Sequence, residues 1–110
     1  MPLFDEREHG FETEFAHAQE IAFKVKARRN RLICLWVARK IGLTGQDAVR
    51  YALDAAGDEM RHSDDAIIAS LLGDLRARGM NIGEAELRSE LLKYDQQAHQ
   101  EIASLSQKRR

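Results

Sequence analysis

Hydrophobic residues recur at intervals of three and four along most of this chain, which is typical of amphipathic helices. The spacing predicts a first helix from about residue 19 to residue 41, with an apolar face that widens from residue 32 onward. Its apolar positions are Ile21, Val25, Leu32, Ile33, Trp36, Val37 and Ile41. Gly42 is predicted to end this helix, because glycine adopts the left-handed C-cap conformation at little cost.

The same spacing predicts a second and a third helix after Gly42. The second begins at Thr44 or Gly45 and extends to about Met60. Its buried edge is predicted to consist mostly of small residues: Ala48, Val49, Ala52, Leu53, Ala56 and Met60. Ser63 or Asp64 is predicted to cap the third helix, which Gly79 ends. The third helix has one apolar face, formed by Ile67, Ile68, Leu71, Leu72 and Leu75.

A fourth helix is predicted from Asn81 and Glu84, whose N-x-x-E spacing is typical of a capping box. Its apolar positions are Leu87, Leu91, Tyr94, Ala98, Ile102 and Leu105. Short turns between the predicted helices favour antiparallel neighbours around one core. The chain is therefore predicted to be all-α, a small antiparallel four-helix bundle.

Composition supports a helical domain that does not enter a membrane. The chain has 110 residues, 44% of them hydrophobic, and its single proline is Pro2. It contains no apolar run long enough for a membrane span, and its first eight residues are too charged for a secretory signal. A lone cysteine, Cys34, agrees with a reducing compartment. We therefore expect a monomeric cytoplasmic protein.

Charge divides the first forty residues into two parts. In residues 1–20, six carboxylates and one arginine give a net charge of −5, whereas residues 21–40 carry seven basic residues and a net charge of +7. On a helix, the acidic part has one apolar stripe, formed by Phe4, Phe11, Phe15, Ala18 and Ala22. We predict that residues 1–18 form an interaction segment, mobile when free and helical when docked, and that residues 19–110 form the bundle. The alternative is a static extension of the core helix.

The sequence shows no pattern that is typical of an active site or a metal site. The four histidines, His9, His17, His62 and His99, lack the spacing of metal ligands. Cys34 lies in an apolar run, which favours a buried, inert thiol, and Asp64 and Asp65 suit the dipole at the start of a helix. We therefore predict no enzymatic activity and no resident cofactor.

The basic segment offers a second hypothesis, which is binding of nucleic acid or nucleotide around residues 24–31. Lys24, Arg28 and Arg31 share a helical stripe that could follow phosphates. Two observations count against it. Arg29 lies on the side of the apolar stripe, where it would need an acidic partner within the fold. Residues 41–110 also sum to −3.

Residues 4–45 carry a dense set of motifs that resembles a known family. The segments are Phe4-Asp5-Glu6-Arg7-Glu8, Phe11-Glu12, Phe15-Ala16-His17, Phe23-Lys24, Ala27-Arg28-Arg29-Asn30 with Leu32, Leu35-Trp36 and Gly42-Leu43-Thr44-Gly45. This set resembles the zeta subunit of bacterial rotary ATP synthases. The likeness continues loosely through Tyr51-Ala52, Asp64-Asp65 and Asp74-Leu75, and after Gly79 only the helical pattern remains.

The resemblance implies a four-helix protein that binds the catalytic head of the synthase and blocks ATP hydrolysis through its N-terminal segment. The implied partners are the alpha and beta subunits, with gamma as a further candidate, and the protein would lie at the periphery of the membrane-bound synthase. The residues in the implied inhibitory segment are Phe4, Asp5, Arg7, Glu8, Phe11, Phe15 and His17. Secondary contacts, or a weak site for ATP or ADP, would fall on Lys24, Arg28, Arg29, Asn30 and Arg31.

The chain departs from the family pattern at a few positions. Ile33 and Cys34 stand where leucine and glycine are common, and we expect this change to affect helix packing. Ala18 replaces a frequent acid in the docking segment, which bears on the strength of inhibition.

Overall fold

The part of the chain that the structure describes is built from four α-helices. The computed structural model describes the backbone of residues 3–59 and 63–108 and the side chains of residues 16–57 and 63–105. The helices are α1 (Leu3–Lys40), α2 (Gly45–Glu59), α3 (Asp64–Ala77) and α4 (Glu84–Lys108). Residues 3–59 and 63–108 contain no strand, which confirms the predicted all-α class.

Helix α1 is the central element of the bundle. It packs against each of the other three helices, and α3 also packs against α4. Its 38 residues correspond to a length of about 57 Å at the rise of an α-helix. The molecule measures 65 × 27 × 21 Å, so α1 sets its long dimension.

The core lies among all four helices, and α2 contributes Ala52 and Ala56 to it. All five apolar residues predicted for α3 are buried, which confirms that face: Ile67, Ile68, Leu71, Leu72 and Leu75. They pack with Ile33, Val37 and Cys34 of α1 and with Leu87 of α4. The thiol of Cys34 is fully buried, as its apolar sequence context predicts.

Two glycines end their helices in the predicted way. Gly42 has a φ of +91°, and Leu43 donates its N–H to the carbonyl of Ala38 at 2.9 Å. Gly79 has a φ of +78°, and Met80 donates to the carbonyl of Leu75 at 3.0 Å. Both are Schellman motifs, in which a left-handed residue lets the chain satisfy the last helical carbonyls.

Ser63 is the N-cap of α3, which confirms one of the two predicted alternatives, Ser63 and Asp64. Its hydroxyl accepts a hydrogen bond from the N–H of Ala66 at 3.3 Å. The predicted capping box of α4 is wrong. The helix begins at Glu84, and the carbonyl of Gly83 accepts its first bond, from Leu87, so Glu84 opens the helix and Asn81 lies outside it.

The predicted buried edge of α2 is only partly correct. Ala48, Ala52 and Ala56 are buried, whereas Val49 and Leu53 are 51% and 49% exposed. Helix α2 makes its extensive contact with α1 alone, so one narrow stripe is covered and positions 100° away from it remain open. Met60 lies outside the described residues.

The apolar stripe of α4 is buried along most, but not all, of its predicted length. Leu87, Leu91 and Ala98 are buried, and Tyr94 and Ile102 are half-buried. Leu105 is 57% exposed, which corrects the prediction for that position. Arg29 approaches both Asp64 at the start of α3 and Asp95 of α4, so Leu105 lies ten residues beyond the level at which α3 begins.

Shortening Leu71 should destabilise the bundle strongly. Leu71 is fully buried between helices, so Leu71→Ala should lower the free energy of unfolding by about 2–5 kcal/mol through lost burial and a residual cavity. Leu92 is the matched control, since it is 61% exposed, and Leu92→Ala should change stability by less than about 0.5 kcal/mol. Denaturant titration measures both values. Equal losses in the two variants would contradict this location of the core.

Candidate functional site

The seven residues predicted for the inhibitory segment all lie in α1. The side chains of Phe4, Asp5, Arg7, Glu8, Phe11 and Phe15 lie outside the described residues. The side chain of His17 is described, and it is exposed. The roles assigned to these seven residues therefore stay predictions.

Exposure along α1 changes sharply near residue 25. Eight of the nine residues from 16 to 24 are exposed, and the ninth, Ile21, is half-buried. Val25 is only 3% exposed, and Arg29, Asn30 and Ile33 follow it into the bundle. Within the side chains described from residue 16, the other helices thus cover α1 from about Val25 onward.

The register of α4 against α1 explains this change. Arg28 of α1 pairs with Glu101 of α4, and Arg29 approaches Asp95, so the two helices run antiparallel. Helix α4 ends at Lys108, seven residues beyond Glu101, which places its end level with about residue 21 of α1. The part of α1 before that level therefore extends past the end of α4.

A polar cluster around the buried Arg29 joins α1 to α3 and α4. Arg29 is 7% exposed and donates from Nη2 and Nη1 to the two carboxylate oxygens of Asp64, at 2.8 and 3.2 Å. It also donates from Nε and Nη2 to Oδ1 of the fully buried Asn30, at 3.0 and 2.9 Å. Asp95 of α4 lies 3.8 Å from Nη1. We call Arg29, Asn30, Asp64 and Asp95 the Arg29 cluster.

The Arg29 cluster confirms that the buried arginine has an acidic partner within the fold. Bidentate pairing with Asp64 fixes both the position and the plane of the guanidinium. The guanidinium also donates from Nε and Nη2 to Asn30, and these hydrogen bonds satisfy N–H groups that burial would otherwise leave unpaired. The cluster therefore orients α1 relative to the start of α3 and the middle of α4.

Arg28 binds within the bundle as well. Its Nε donates to Oε2 of Glu101 at 2.6 Å, and Gln97 donates to Oε1 of the same carboxylate at 3.0 Å. Both hydrogen bonds lower the pKa of Glu101 below its usual range, and the bond from Arg28 has the larger effect. Glu101 thus prefers its charged form while Arg28 is in place.

The five residues proposed for secondary contacts or a nucleotide site therefore separate into two groups. Arg28, Arg29 and Asn30 make contacts inside the bundle. Lys24 lies on the surface, 3.1 Å from Glu20, and Arg31 is exposed. A phosphate-binding stripe over residues 24–31 would have to compete with these internal ion pairs, which disfavours the second hypothesis.

Further polar contacts connect the remaining helices. Arg88 of α4 donates to Asp65 at 2.8 Å, and this hydrogen bond raises the pKa of Arg88. The hydroxyl of Tyr51 in α2 donates to Asp74 in α3 at 2.6 Å. Burial, followed by this hydrogen bond, raises the pKa of Tyr51 well above its usual range. Asp64 and Asp65 thus pair with arginines, in addition to lying in the first turn of α3.

The described residues form neither a metal-ligand cluster nor a membrane-spanning helix. Among side chains 16–57 and 63–105, no three histidine, cysteine or acidic residues come together as metal ligands would. Even the longest described helix lacks the continuous apolar stretch needed to cross a bilayer.

A family model with the description "ATPase inhibitor subunit zeta" matches residues 1–101. The chain belongs to this family. The match includes α1, α2, α3 and most of α4, so it extends beyond Gly79, where the motifs give way to a general helical pattern. No curated protein and no solved structure matches the chain with significance.

Membership of the zeta family confirms the resemblance that the motifs of residues 4–45 indicate. The family description is that of an inhibitor subunit, which is a regulatory component. Two motif residues, Arg29 and Asn30, have a structural use here, since they bind Asp64 and each other. These two motif residues therefore contribute to the packing of the bundle.

Sequence reasoning missed the acids that these arginines bind. The position of Arg29 on an apolar stripe indicates that a partner is needed, but Asp64, Asp95 and Glu101 become neighbours only through the packing of three helices. Phe23 was also missed as a surface residue. Phe23 is offset by 160° around the helix from Val25, and this offset from the apolar stripe indicates that Phe23 faces away from the core.

Removing the guanidinium of Arg29 should destabilise the zeta bundle. Arg29→Ala removes the two hydrogen bonds that Arg29 donates to the buried Asn30 and the ion pair with Asp64, so the free energy of unfolding should fall by about 1–3 kcal/mol. Asp64 and Asp95 keep some access to water, which limits the loss. The matched control is Arg88→Ala, because Arg88 makes a similar contact at the surface, and stability should stay close to wild type. Denaturant titration of both variants decides between a buried and a peripheral role for Arg29.

Replacing Arg28 should raise the pKa of Glu101. Arg28→Gln removes the strongest hydrogen bond to the carboxylate, so the pKa should move up toward its ordinary value of about 4.5. In the wild type the folded pKa is the lower one. The stability linked to Glu101 is therefore present above pH 4.5 and is lost as the pH falls through the folded pKa.

Carbon-detected NMR titration of the Glu101 carboxyl measures this shift, and acid unfolding measures its effect on stability. The Arg28→Gln variant should show a weaker dependence of stability on pH below 4.5. An unchanged pKa would show that Gln97 alone determines the charge state of Glu101.

Proposed function

We propose that this zeta subunit inhibits ATP hydrolysis by the F-type ATP synthase by inserting residues 1–18 into an alpha/beta interface of the catalytic head. The main support is the extension of α1 beyond the end of α4, with all of residues 16–20 exposed. The internal helices leave this part of α1 available to a partner. Family membership supports an inhibitory role for the protein as a whole.

The composition of the segment suits a protein interface. Phe4, Phe11 and Phe15 recur on one helical stripe, and aromatic anchors in apolar pockets contribute about 1 kcal/mol or more each. The surrounding acids and Arg7 set the register against charged groups of the partner. Affinity thus comes mainly from the rings, and orientation comes mainly from the charges.

The segment is proposed to be mobile when free and helical when docked. Asp5, Glu8 and Glu12 place like charges at helical spacings of three and four, and each such pair costs a few tenths of a kcal/mol, about 0.2–0.5. An isolated helix of this length is marginal in water. Docking of the rings supplies the free energy that orders the segment.

The covered part of α1 makes this ordering easier. Helix formation is limited by its first turn, which fixes several residues for a single hydrogen bond. From Val25 onward α1 is already packed in the bundle, so the segment extends an existing helix and needs no new nucleus. This coupling favours a segment that is joined directly to the bundle over one on a flexible linker.

The proposed partners are the alpha and beta subunits, with gamma as a further candidate because the interface lies near the central stalk. In this role the protein regulates the synthase from the periphery of the membrane-bound complex and catalyses no reaction itself. The nucleic-acid hypothesis receives less support, because Arg28 and Arg29 are already paired with acids of the bundle.

Removing residues 1–18 should abolish inhibition of ATP hydrolysis. The full chain and the truncated chain are titrated into purified catalytic head, and ATP turnover is measured at each concentration. The full-length Phe11→Ala/Phe15→Ala variant should also lose most of its potency while its melting temperature stays nearly unchanged, because these rings are proposed to bind the partner and not the core.

Leu92→Ala serves as the control for the loss of an apolar surface group, since Leu92 is exposed on α4, and it should inhibit like the wild type. Equal inhibition by the full and truncated chains would exclude a role for residues 1–18. A large fall in the melting temperature of the double variant would instead assign the two rings to the folded bundle.

A further inference from the structure

Phe23 is an exposed aromatic residue beside the buried part of α1. Its side chain is 63% exposed, the largest value among the large hydrophobic residues of the described chain that are exposed. Val25, two positions later, is 3% exposed. The ring is therefore left at the surface just where the bundle begins to cover α1.

The exposed surface of α1 continues through Phe23, and the half-buried Ile21 is the one interruption between residues 16 and 24. Residues 16–20, Ala22, Phe23 and Lys24 are all exposed, and Val25 is the first buried residue in the described part of α1. The surface that a partner can reach thus continues about six residues beyond residue 18. A partner that holds the first 18 residues lies directly beside Phe23.

Phe23 lies on a different side of α1 from the phenylalanine stripe. Ala18 and Ala22 belong to that stripe, and Phe23 is offset from Ala22 by 100° around the helix. A helix inserted between two subunits meets protein on more than one side. A second apolar position, offset from the first stripe, fits this kind of site better than it fits a flat surface that contacts one face.

We infer that Phe23 is the last anchor of the docking segment and inserts into an apolar pocket of the catalytic head near the entrance to the interface. This inference rests on the proposed function. It extends the apolar contact surface from residue 18 to Lys24 and adds the exposed Arg31 as a polar contact beyond it. The occupant of this side of α1 is the same partner that holds the N-terminal segment, because the two surfaces are continuous along one helix.

The charges around Phe23 indicate the chemistry of the pocket. Glu20 and Lys24 lie 3.1 Å apart and largely offset each other. Arg31 is exposed two turns beyond Phe23, about 12 Å along the axis and 80° around it. The fitting partner surface therefore combines an apolar pocket for Phe23 with a carboxylate about 12 Å away for Arg31.

The test compares full-length variants in the titration of ATP turnover by the catalytic head. Phe23→Ala should raise the concentration for half-inhibition about tenfold, as expected for an interface anchor, with an unchanged melting temperature. Phe23→Leu should recover most of the potency, since it retains an apolar side chain. Leu92→Ala is the matched control, with the same kind of exposure on α4, and it should leave potency unchanged.

The pairing of Arg31 is tested in the same assay at two salt concentrations. Arg31→Gln should weaken inhibition several-fold at low salt and should make it less sensitive to added salt. Arg50→Gln is the control, because Arg50 is exposed on α2, away from the docking segment, and it should behave like the wild type. Equal effects of the two substitutions would overturn the assigned carboxylate.

Phe23→Ala with wild-type potency would overturn the inference. So would an equal loss in Leu92→Ala, or a fall in melting temperature that explains the loss. The chain without residues 1–18 separates this result from the proposed function. If that chain fails to inhibit while Phe23→Ala inhibits normally, the proposed function stands and the inference fails; if it inhibits fully, the proposed function fails.

Discussion

The arrangement of the bundle depends on how the charge of Arg29 is satisfied. A guanidinium that is only 7% exposed has little access to water, so its donors need acceptors within the protein. Asp64 and Asn30 supply them through four hydrogen bonds, and Asp95 adds a carboxylate at 3.8 Å. Because these acids belong to α3 and α4, the charge is satisfied only when α1 has the correct register with both helices.

This register divides α1 into two environments. Beyond Val25 the helix lies among its neighbours, and before that residue it is exposed over residues 16–20 and again from Ala22 to Lys24. The pairing of Arg28 with Glu101 fixes where α4 ends along α1. Contacts between the helices thus determine how much of the described part of α1 remains exposed.

Local sequence patterns predicted those features that depend on one helix or one turn. The buried face of α3, the Ser63 cap and the glycine endings at Gly42 and Gly79 are of this kind. Val49 and Leu53 were predicted wrongly because their burial depends on whether a second neighbour covers α2. In the candidate site, the need of Arg29 for an acid was predictable, but the choice of Asp64 and Asp95 depends on three helices at once. The roles of Phe4 to Phe15 stay predictions.

The cross-section of the molecule limits how far the protein can enter a narrow cleft. A single helix with its side chains is about 10–12 Å wide, whereas the molecule measures 27 × 21 Å across. An opening that fits one helix can admit the leading part of α1. The other three helices make the rest of the molecule too wide to follow it. In the proposed docking mode, the width of the bundle therefore limits the depth of entry, and this limit does not depend on the phenylalanine side chains.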